Sequence, residues 1–119
     1  MEKNISLDDY LNTLNLSQRQ VHDAIRDLIQ SVYPEVRETL FTRHPYFYLA
    51  QHEHIKFHFR PSIMLSFFGN HVNVFTMVNR FYEDRLTVYR FTEKHTMQIE
   101  INQELETETL KHLFLDALL

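Results

Sequence analysis

The apolar residues between positions 21 and 32 recur every three or four positions, which is the spacing of one face of a helix. The members of this stripe are Val21, Ala24, Ile25, Leu28, Ile29 and Val32. Pro34 predicts that the helix ends at Tyr33, because a proline disfavours helical geometry in the residue before it. The stripe must be buried against another element, so the fold has to provide an apolar partner for this helix.

Two start signals predict that a second, shorter helix precedes this one. Ser6 and Asp9 form an S-x-x-D pattern, and Ser17 and Gln20 form an S-x-x-Q capping box at the start of the longer helix. The chain therefore opens with two helices separated by a short break.

From position 51 onwards apolar and polar residues alternate, so the hydrophobic pattern repeats every two residues instead of every three or four. Ile55, Phe57 and Phe59 alternate with polar residues, which is typical of a half-buried strand. The polar positions are His52, His54, Lys56, His58 and Arg60. We therefore predict a strand over 51–60 that places its three apolar side chains in the core.

The clearest hairpin signal is the pair of segments SIMLSFF and VNVFTMV, which are joined by a turn at Gly69. Gly69 is the only glycine in the chain, and we predict a positive φ for it. Further strands are expected in 39–50 and 95–101, and a short helix in 79–87. A final helix buries Leu110, Leu113, Phe114, Ala117 and Leu118.

These elements predict an α+β fold. Two N-terminal helices precede a mainly antiparallel sheet of five or six strands, with a short helix before the last strand and a C-terminal helix. The helices are expected on one face of the sheet. The length of 119 residues suits one domain, 1–119.

Composition excludes several classes of function. The absence of cysteine removes disulfide frameworks, thiol nucleophiles and cysteine-ligated zinc, and a single glycine cannot build a glycine-rich phosphate loop. A net charge of -4 provides no broad basic field for nucleic acid. No apolar run approaches the roughly 20 residues that span a bilayer, and the start MEKNISLDDY lacks a signal region. We expect a cytoplasmic protein.

Several stretches resemble one family of small bacterial proteins. They are ISLDDYLNTL, VYPEVRETL, RHPYF, FGNHVNVF and LTVYRFTEKHTMQIEIN, so the resemblance covers nearly the whole chain. The family is that of the YdhG-like domains of unknown function, which includes a frataxin-like intracellular iron chaperone. The resemblance implies the same α+β fold and a role in binding or delivering iron. This chain departs from the family pattern at two turns, where Arg43-His44 and His95 stand at or near customary glycines.

Three histidines fall within seven positions of the predicted strand, which raises the question of a metal site. Residues two apart on a strand lie about 7 Å apart, and His54 and His58 lie about 13 Å apart, so the three histidines cannot bind one ion. Lys56 and Arg60 share this face, and positive charges oppose cation binding. The remaining interpretations are a solvated strand face, a surface for an anion or polar ligand, and a metal site to which His52 and His54 alone contribute from this strand.

The predicted ligand surface continues across the hairpin, because neighbouring strands place side chains about 5 Å apart. Its residues are His54, Lys56, His58, Arg60 and His71. Aromatic residues on the same strands are expected between the sheet and the helices, either as ordinary core or as a small-molecule pocket. They are Tyr46, Tyr48, Phe57 and Phe59.

Carboxylates are the candidate metal ligands, because iron prefers oxygen and imidazole ligands when thiolates are absent. Asp23 and Asp27 are four residues apart and share one helix face, where they form a candidate weak iron site or an ordinary polar surface. The other acidic groups lie at helix starts, where they complement the helix dipole.

No catalytic signature is present, because Ser62 and Ser66 are not set in a nucleophile elbow. We therefore expect a small non-enzymatic protein that binds or delivers iron, by family resemblance. The alternative is a module that binds a small polar ligand or a protein partner with its polar sheet face, and an unrecognised enzyme is third. Membrane and nucleic-acid partners are not expected. The oligomeric state is left open, a homodimer included.

Overall fold

Six antiparallel strands form one open sheet in the computed structural model, which describes residues 5–119. The strands are β1 (Arg37–Phe41), β2 (His44–Tyr48), β3 (Ile63–Phe67), β4 (His71–Phe75), β5 (Arg90–Phe91) and β6 (Met97–Glu100). Their spatial order is β1-β2-β3-β4-β6-β5. The α-helices in the described residues are α1 (Leu7–Leu11), α2 (Leu16–Val32) and α3 (Thr107–Leu118). The predicted α+β class is confirmed.

Capping boxes start both N-terminal helices, one as predicted and one shifted. Ser6 and Asp9 cap α1 as the sequence indicates. In α2 the cap is Asn15, whose side chain accepts the Gln18 N–H at 2.8 Å, while Gln18 Oε1 accepts the Asn15 N–H at 3.0 Å. Asparagine is as good a cap as serine, so α2 starts two residues earlier than the predicted box at Ser17.

One apolar core lies between α2, α3 and one face of the sheet. The fully buried strand residues in it are Phe47, Ile63, Leu65, Val72, Val74, Met97 and Ile99. Val21, Ile25 and Ile29 of α2 pack there, together with all five apolar residues predicted for α3. Each fully buried Leu or Ile stabilises the fold by about 2 kcal/mol, so this face holds the helices against the sheet.

Alternate residues of the same strands lie on the opposite face, which we call the outer face. The register places Tyr46 opposite Met64, and Asn73 opposite both Ser66 and Gln98. Because side chains alternate along a strand, these residues point away from α2 and α3.

The predicted strand over 51–60 is wrong. The chain leaves the sheet after β2 and forms a 3-10 turn at Ala50–His52 and further turns, which we call the β2–β3 loop (residues 49–62). Phe59 is 73% exposed and Phe57 38% exposed, so neither builds the core. β2 pairs with β1 on one side and with β3 on the other, so the loop that follows β2 finds both edges of that strand occupied.

The positive backbone angles lie where the sequence lacks glycine. Thr42 and Arg43, which join β1 and β2, have φ of 50° and 67°, and His95 has φ of 65°. These are the two turns at which the chain departs from the YdhG-like pattern. Gly69 does not have a positive φ, so that prediction is wrong; a Cβ there would meet no atom within 4 Å.

The segment before β6 contains less helix than predicted. Only Asn79–Phe81 form a short 3-10 helix, and turns continue through 82–89 before the edge strand β5. Asn79 is buried and donates to the Val74 and His95 carbonyls, both at 2.9 Å, which ties this segment to the sheet. Within residues 5–119, no helix has both the length and the apolar character needed to cross a membrane.

Candidate ligand-binding site

Arg60 holds the β2–β3 loop against the outer face of the sheet. The side chain is buried, and its guanidinium donates from Nε to the Ile55 carbonyl at 3.0 Å and from Nη2 to the Glu53 carbonyl at 2.7 Å. The same group lies 4.6 Å from the ring centre of Tyr48 and 4.4 Å from that of Phe57. A cation over aromatic faces is stabilising, so Arg60 closes the loop over β2.

Phe57 also packs against β1, the strand at the edge of the sheet. Its ring stacks on Phe41 of β1 at 4.4 Å between centres and meets Tyr46 of β2 edge-on at 5.2 Å. Both arrangements are favourable aromatic geometries. The loop and the sheet together therefore enclose an aromatic surface that neither forms alone.

A cavity of about 240 Å³ lies beside these rings, and we call it the aromatic cavity. Its apolar walls are Phe41, Tyr46, Phe57, Met64, Phe75 and Met77. Its polar walls are His58, Ser62 and Thr76. A concave, mostly apolar space with a few polar groups is the usual form of a small-molecule site.

The hydroxyl of Tyr46 is buried without a hydrogen-bond partner in the described part of the chain. The residue as a whole is only 2% exposed. A buried hydroxyl is normally paired, because leaving it unpaired costs about 1–3 kcal/mol. Tyr46 also lines the aromatic cavity, so this unpaired hydroxyl belongs to a residue of the cavity wall.

The expected position of the four aromatic residues between the sheet and the helices is wrong. Tyr46 and Phe57 line the cavity, but it opens on the outer face and not between the sheet and the helices. Tyr48 lies under Arg60, and Phe59 is exposed. Phe41, Met64, Phe75 and Met77 were missed by the sequence reasoning; the alternation of Met64 and Phe75 with core residues was the available signal.

The five residues of the predicted ligand surface do not form one surface. His54 and Lys56 are exposed in the β2–β3 loop, His58 lines the aromatic cavity, and Arg60 is buried under the loop. His71 lies on β4 and lines a different cavity. The grouping failed because it assumed a strand over 51–60, and a role of the exposed members in binding stays a prediction.

Asp23, one of the two candidate metal ligands, is already engaged by cationic or donor groups. Its Oδ1 lies 2.9 Å from His22 Nδ1 and accepts from Arg19 Nε at 3.3 Å. Burial raises the pKa of the Asp23 carboxyl, but the hydrogen bonds from His22 and Arg19 outweigh it and hold the pKa below its usual value. Asp27 is exposed on the same helix. Iron binding by this pair stays a prediction.

A buried histidine, which sequence reasoning missed, joins α2 to β1. The His22 side chain is fully buried, and its Nε2 lies 2.7 Å from Glu38 Oε2. Arg26 Nε donates to the other Glu38 oxygen at 2.7 Å. Both ring nitrogens of His22 therefore lie within hydrogen-bond distance of a carboxylate, Asp23 on one side and Glu38 on the other. The sequence did contain a signal for this buried histidine: His22 lies three residues before Ile25, and that spacing places it beside the apolar stripe of the helix.

Across residues 5–119, no three His, Asp or Glu side chains come together in a way that could hold a metal ion. Comparison with protein-family models, with curated proteins and with solved structures finds no match to this chain. The candidate site therefore depends on its own geometry.

Proposed function

We propose that this protein is a binding protein for a small aromatic molecule that carries one hydrogen-bonding group. The ligand occupies the aromatic cavity, with its ring among the apolar walls and its polar group on the Tyr46 hydroxyl. The proposal differs from the small-ligand alternative of the sequence interpretation, which used the polar residues of the sheet face.

The single observation that carries the proposal is the unpaired hydroxyl of Tyr46. In the free protein this group has lost its bonds to water and has gained none from the protein. A ligand that donates to it or accepts from it recovers that loss, so the cavity favours a molecule with such a group over a purely apolar one of the same shape.

Access to the hydroxyl is controlled by Phe57. The Phe57 ring lies against Tyr46 and belongs to a loop residue that is partly exposed. In the proposal this ring turns aside to expose the hydroxyl to the ligand, which also breaks its contact with the Arg60 guanidinium. In the proposal the ligand ring replaces Phe57 in its stack on Phe41 and thereby offsets the contact that is lost.

The polar walls support binding more than catalysis. Thr76 donates its hydroxyl proton to Asn79 Oδ1 at 2.6 Å and so serves the local structure. Ser62 and His58 both line the cavity, but no hydrogen bond joins them within the described chain. A nucleophile with an adjacent base, as acyl transfer requires, is not assembled here.

The methionines provide a direct test. Met64 and Met77 line the aromatic cavity, whereas Met97 is fully buried in the core on the other face. Protein labelled with ¹³C in the methionine methyl groups is titrated with phenol and, separately, with toluene. We expect phenol to shift the methyl signals of Met64 and Met77 and to leave that of Met97 unchanged.

Tyr46→Phe then identifies the polar contact. One hydrogen bond is worth about 0.5–1.5 kcal/mol, so the variant should bind phenol roughly threefold to tenfold more weakly and toluene no more weakly than the wild type does. Tyr82→Phe is the matched control, because Tyr82 is also buried but does not line the cavity. If phenol leaves the Met64 and Met77 signals unchanged, or binds Tyr46→Phe as well as wild type, the proposal is wrong.

A further inference from the structure

A second cavity, of about 430 Å³, lies on the outer face where β4, β6 and β5 run side by side. We call it the polar cleft. Its lining includes His71 of β4, Arg90 of β5, and Gln98 and Glu100 of β6. It shares no lining residue with the aromatic cavity. Whatever it binds is therefore independent of the function proposed above.

Two opposite charges line this cleft without pairing with each other. Arg90 and Glu100 are both exposed, and within residues 5–119 neither side chain makes a hydrogen bond or an ion pair. An ion pair between exposed side chains is weak, so a ligand does not have to displace a strong contact here. Here each charge faces the cleft and is available to a ligand.

The strand register sets the separation of the two charges. Arg90 is paired with Gln98, and Glu100 follows two residues later on the same face of β6. Two residues along a strand span about 7 Å and neighbouring strands lie about 5 Å apart, so the two backbone positions are roughly 8–9 Å apart. Both side chains line the cleft from these positions, so a small molecule that carries both charges can contact each of them.

The remaining polar walls are held in place by bonds among themselves. Gln98 Nε2 donates to Asn73 Oδ1 at 3.1 Å, and Gln103 Nε2 donates to the Val88 carbonyl at 2.7 Å. His71 Nδ1 lies 2.7 Å from Asn70 Oδ1. These bonds position the walls before a ligand arrives, which reduces the entropy lost on binding.

We propose that the polar cleft binds a free α-amino acid as its zwitterion. The carboxylate pairs with the Arg90 guanidinium, whose planar fork suits two parallel hydrogen bonds, and the ammonium pairs with the Glu100 carboxylate. A phosphate or a simple carboxylate would meet repulsion from Glu100, and a simple amine would meet repulsion from Arg90. The amide walls favour an amino acid with a polar side chain, such as glutamine.

The test compares three molecules that differ only in their charges. L-Glutamine has both groups, glutaramate lacks the ammonium, and 4-aminobutanamide lacks the carboxylate. Each is titrated into the full-length protein by calorimetry and by amide NMR. We expect glutamine to bind, with shifts at Arg90, Gln98 and Glu100, and each analogue to bind at least about tenfold more weakly, since charge-assisted hydrogen bonds are the strong ones.

Two variants separate this contact from general surface binding. Arg90→Gln and Glu100→Gln should each weaken glutamine binding by at least about tenfold, with the melting temperature little changed because both residues are exposed. Tyr46→Phe, which alters the aromatic cavity, should bind glutamine like the wild type. The proposal is overturned if glutamine gives no heat, if the three molecules bind equally, or if the two cleft variants bind glutamine unchanged.

Discussion

Replacing Tyr46 by phenylalanine removes a hydroxyl that is buried and has no hydrogen-bond partner in the described chain. A tyrosine to phenylalanine change in a core normally loses stability, because the hydroxyl is usually bonded. Here we expect the opposite sign. An unpaired buried hydroxyl costs about 1–3 kcal/mol, and we take the lower end, so Tyr46→Phe should stabilise the free protein by about 1 kcal/mol.

The matched comparison is Tyr82→Phe. The Tyr82 hydroxyl is within hydrogen-bond distance of the His112 carbonyl at 3.3 Å and of Asp116 Oδ2 at 3.2 Å. Burial, followed by the negative charge of Asp116, raises the pKa of Tyr82, so this phenol keeps its proton. Removing it loses a bonded group, and we expect a destabilisation of about 1 kcal/mol.

Thermal unfolding followed by circular dichroism measures both changes. For a chain of 119 residues the entropy of unfolding is about 0.25 kcal/mol/K, so 1 kcal/mol corresponds to about 4 °C. The two variants should therefore melt about 8 °C apart, with the wild type between them. If Tyr46→Phe melts below the wild type by as much as Tyr82→Phe does, the Tyr46 hydroxyl is bonded in solution and the reasoning behind the ligand site is refuted.

Four further predictions concern the helix–sheet contact, a turn, the pH response and iron. Glu38→Ala leaves buried His22 without its Nε2 partner, so the free energy of unfolding measured in urea should fall by about 3 kcal/mol. The exposed Glu35→Ala is the control and should lower it by less than about 0.5 kcal/mol; equal losses would contradict the His22–Glu38 contact. Thr42→Asn should raise the free energy of unfolding by about 0.5 kcal/mol in the same assay, because asparagine tolerates a positive φ better than a β-branched residue does. Thr42→Val, which is still β-branched, should not raise it. Burial lowers the pKa of His44 in the folded protein, so on acidification the unfolded chain takes up a proton on His44 before the folded protein does. The free energy of unfolding should therefore fall as the pH drops below 6.5 towards the lower folded pKa. The fall should be smaller in His44→Gln, which cannot take up this proton. Anaerobic calorimetry with Fe²⁺ tests the iron prediction: heat above the buffer blank that is lost in Asp23→Ala/Asp27→Ala supports iron delivery, and the absence of heat contradicts it. Asp23 has to give up its contacts with Arg19 and His22 to bind the ion.

Local periodicity was sufficient to predict the N-terminal and C-terminal helices and the central hairpin, but not the turns over 82–89. The stripe of α2, the buried set of α3 and the pairing of β3 with β4 all follow from the spacing of apolar residues within one segment. Each of these segments buries the same face whatever element it packs against, so whether it forms a helix or a strand depends little on distant parts of the chain.

The β2–β3 loop shows what local pattern could not decide. Its alternating residues are compatible with a strand, yet a strand also needs a partner edge for its backbone groups, and β3 already occupies the edge of β2. The backbone therefore turns, and Arg60 and Phe57 pack the loop onto β1 and β2 from outside.

Both candidate sites are products of the tertiary structure. The aromatic cavity joins Phe41, Phe57 and Phe75, and the polar cleft joins Arg90 and Glu100 across two strands. The sequence alone determined which residues are apolar or charged and which segments are helical. Strand order and register decided which of them meet, because hydrogen-bond pairing between distant segments is a competition that no single segment encodes.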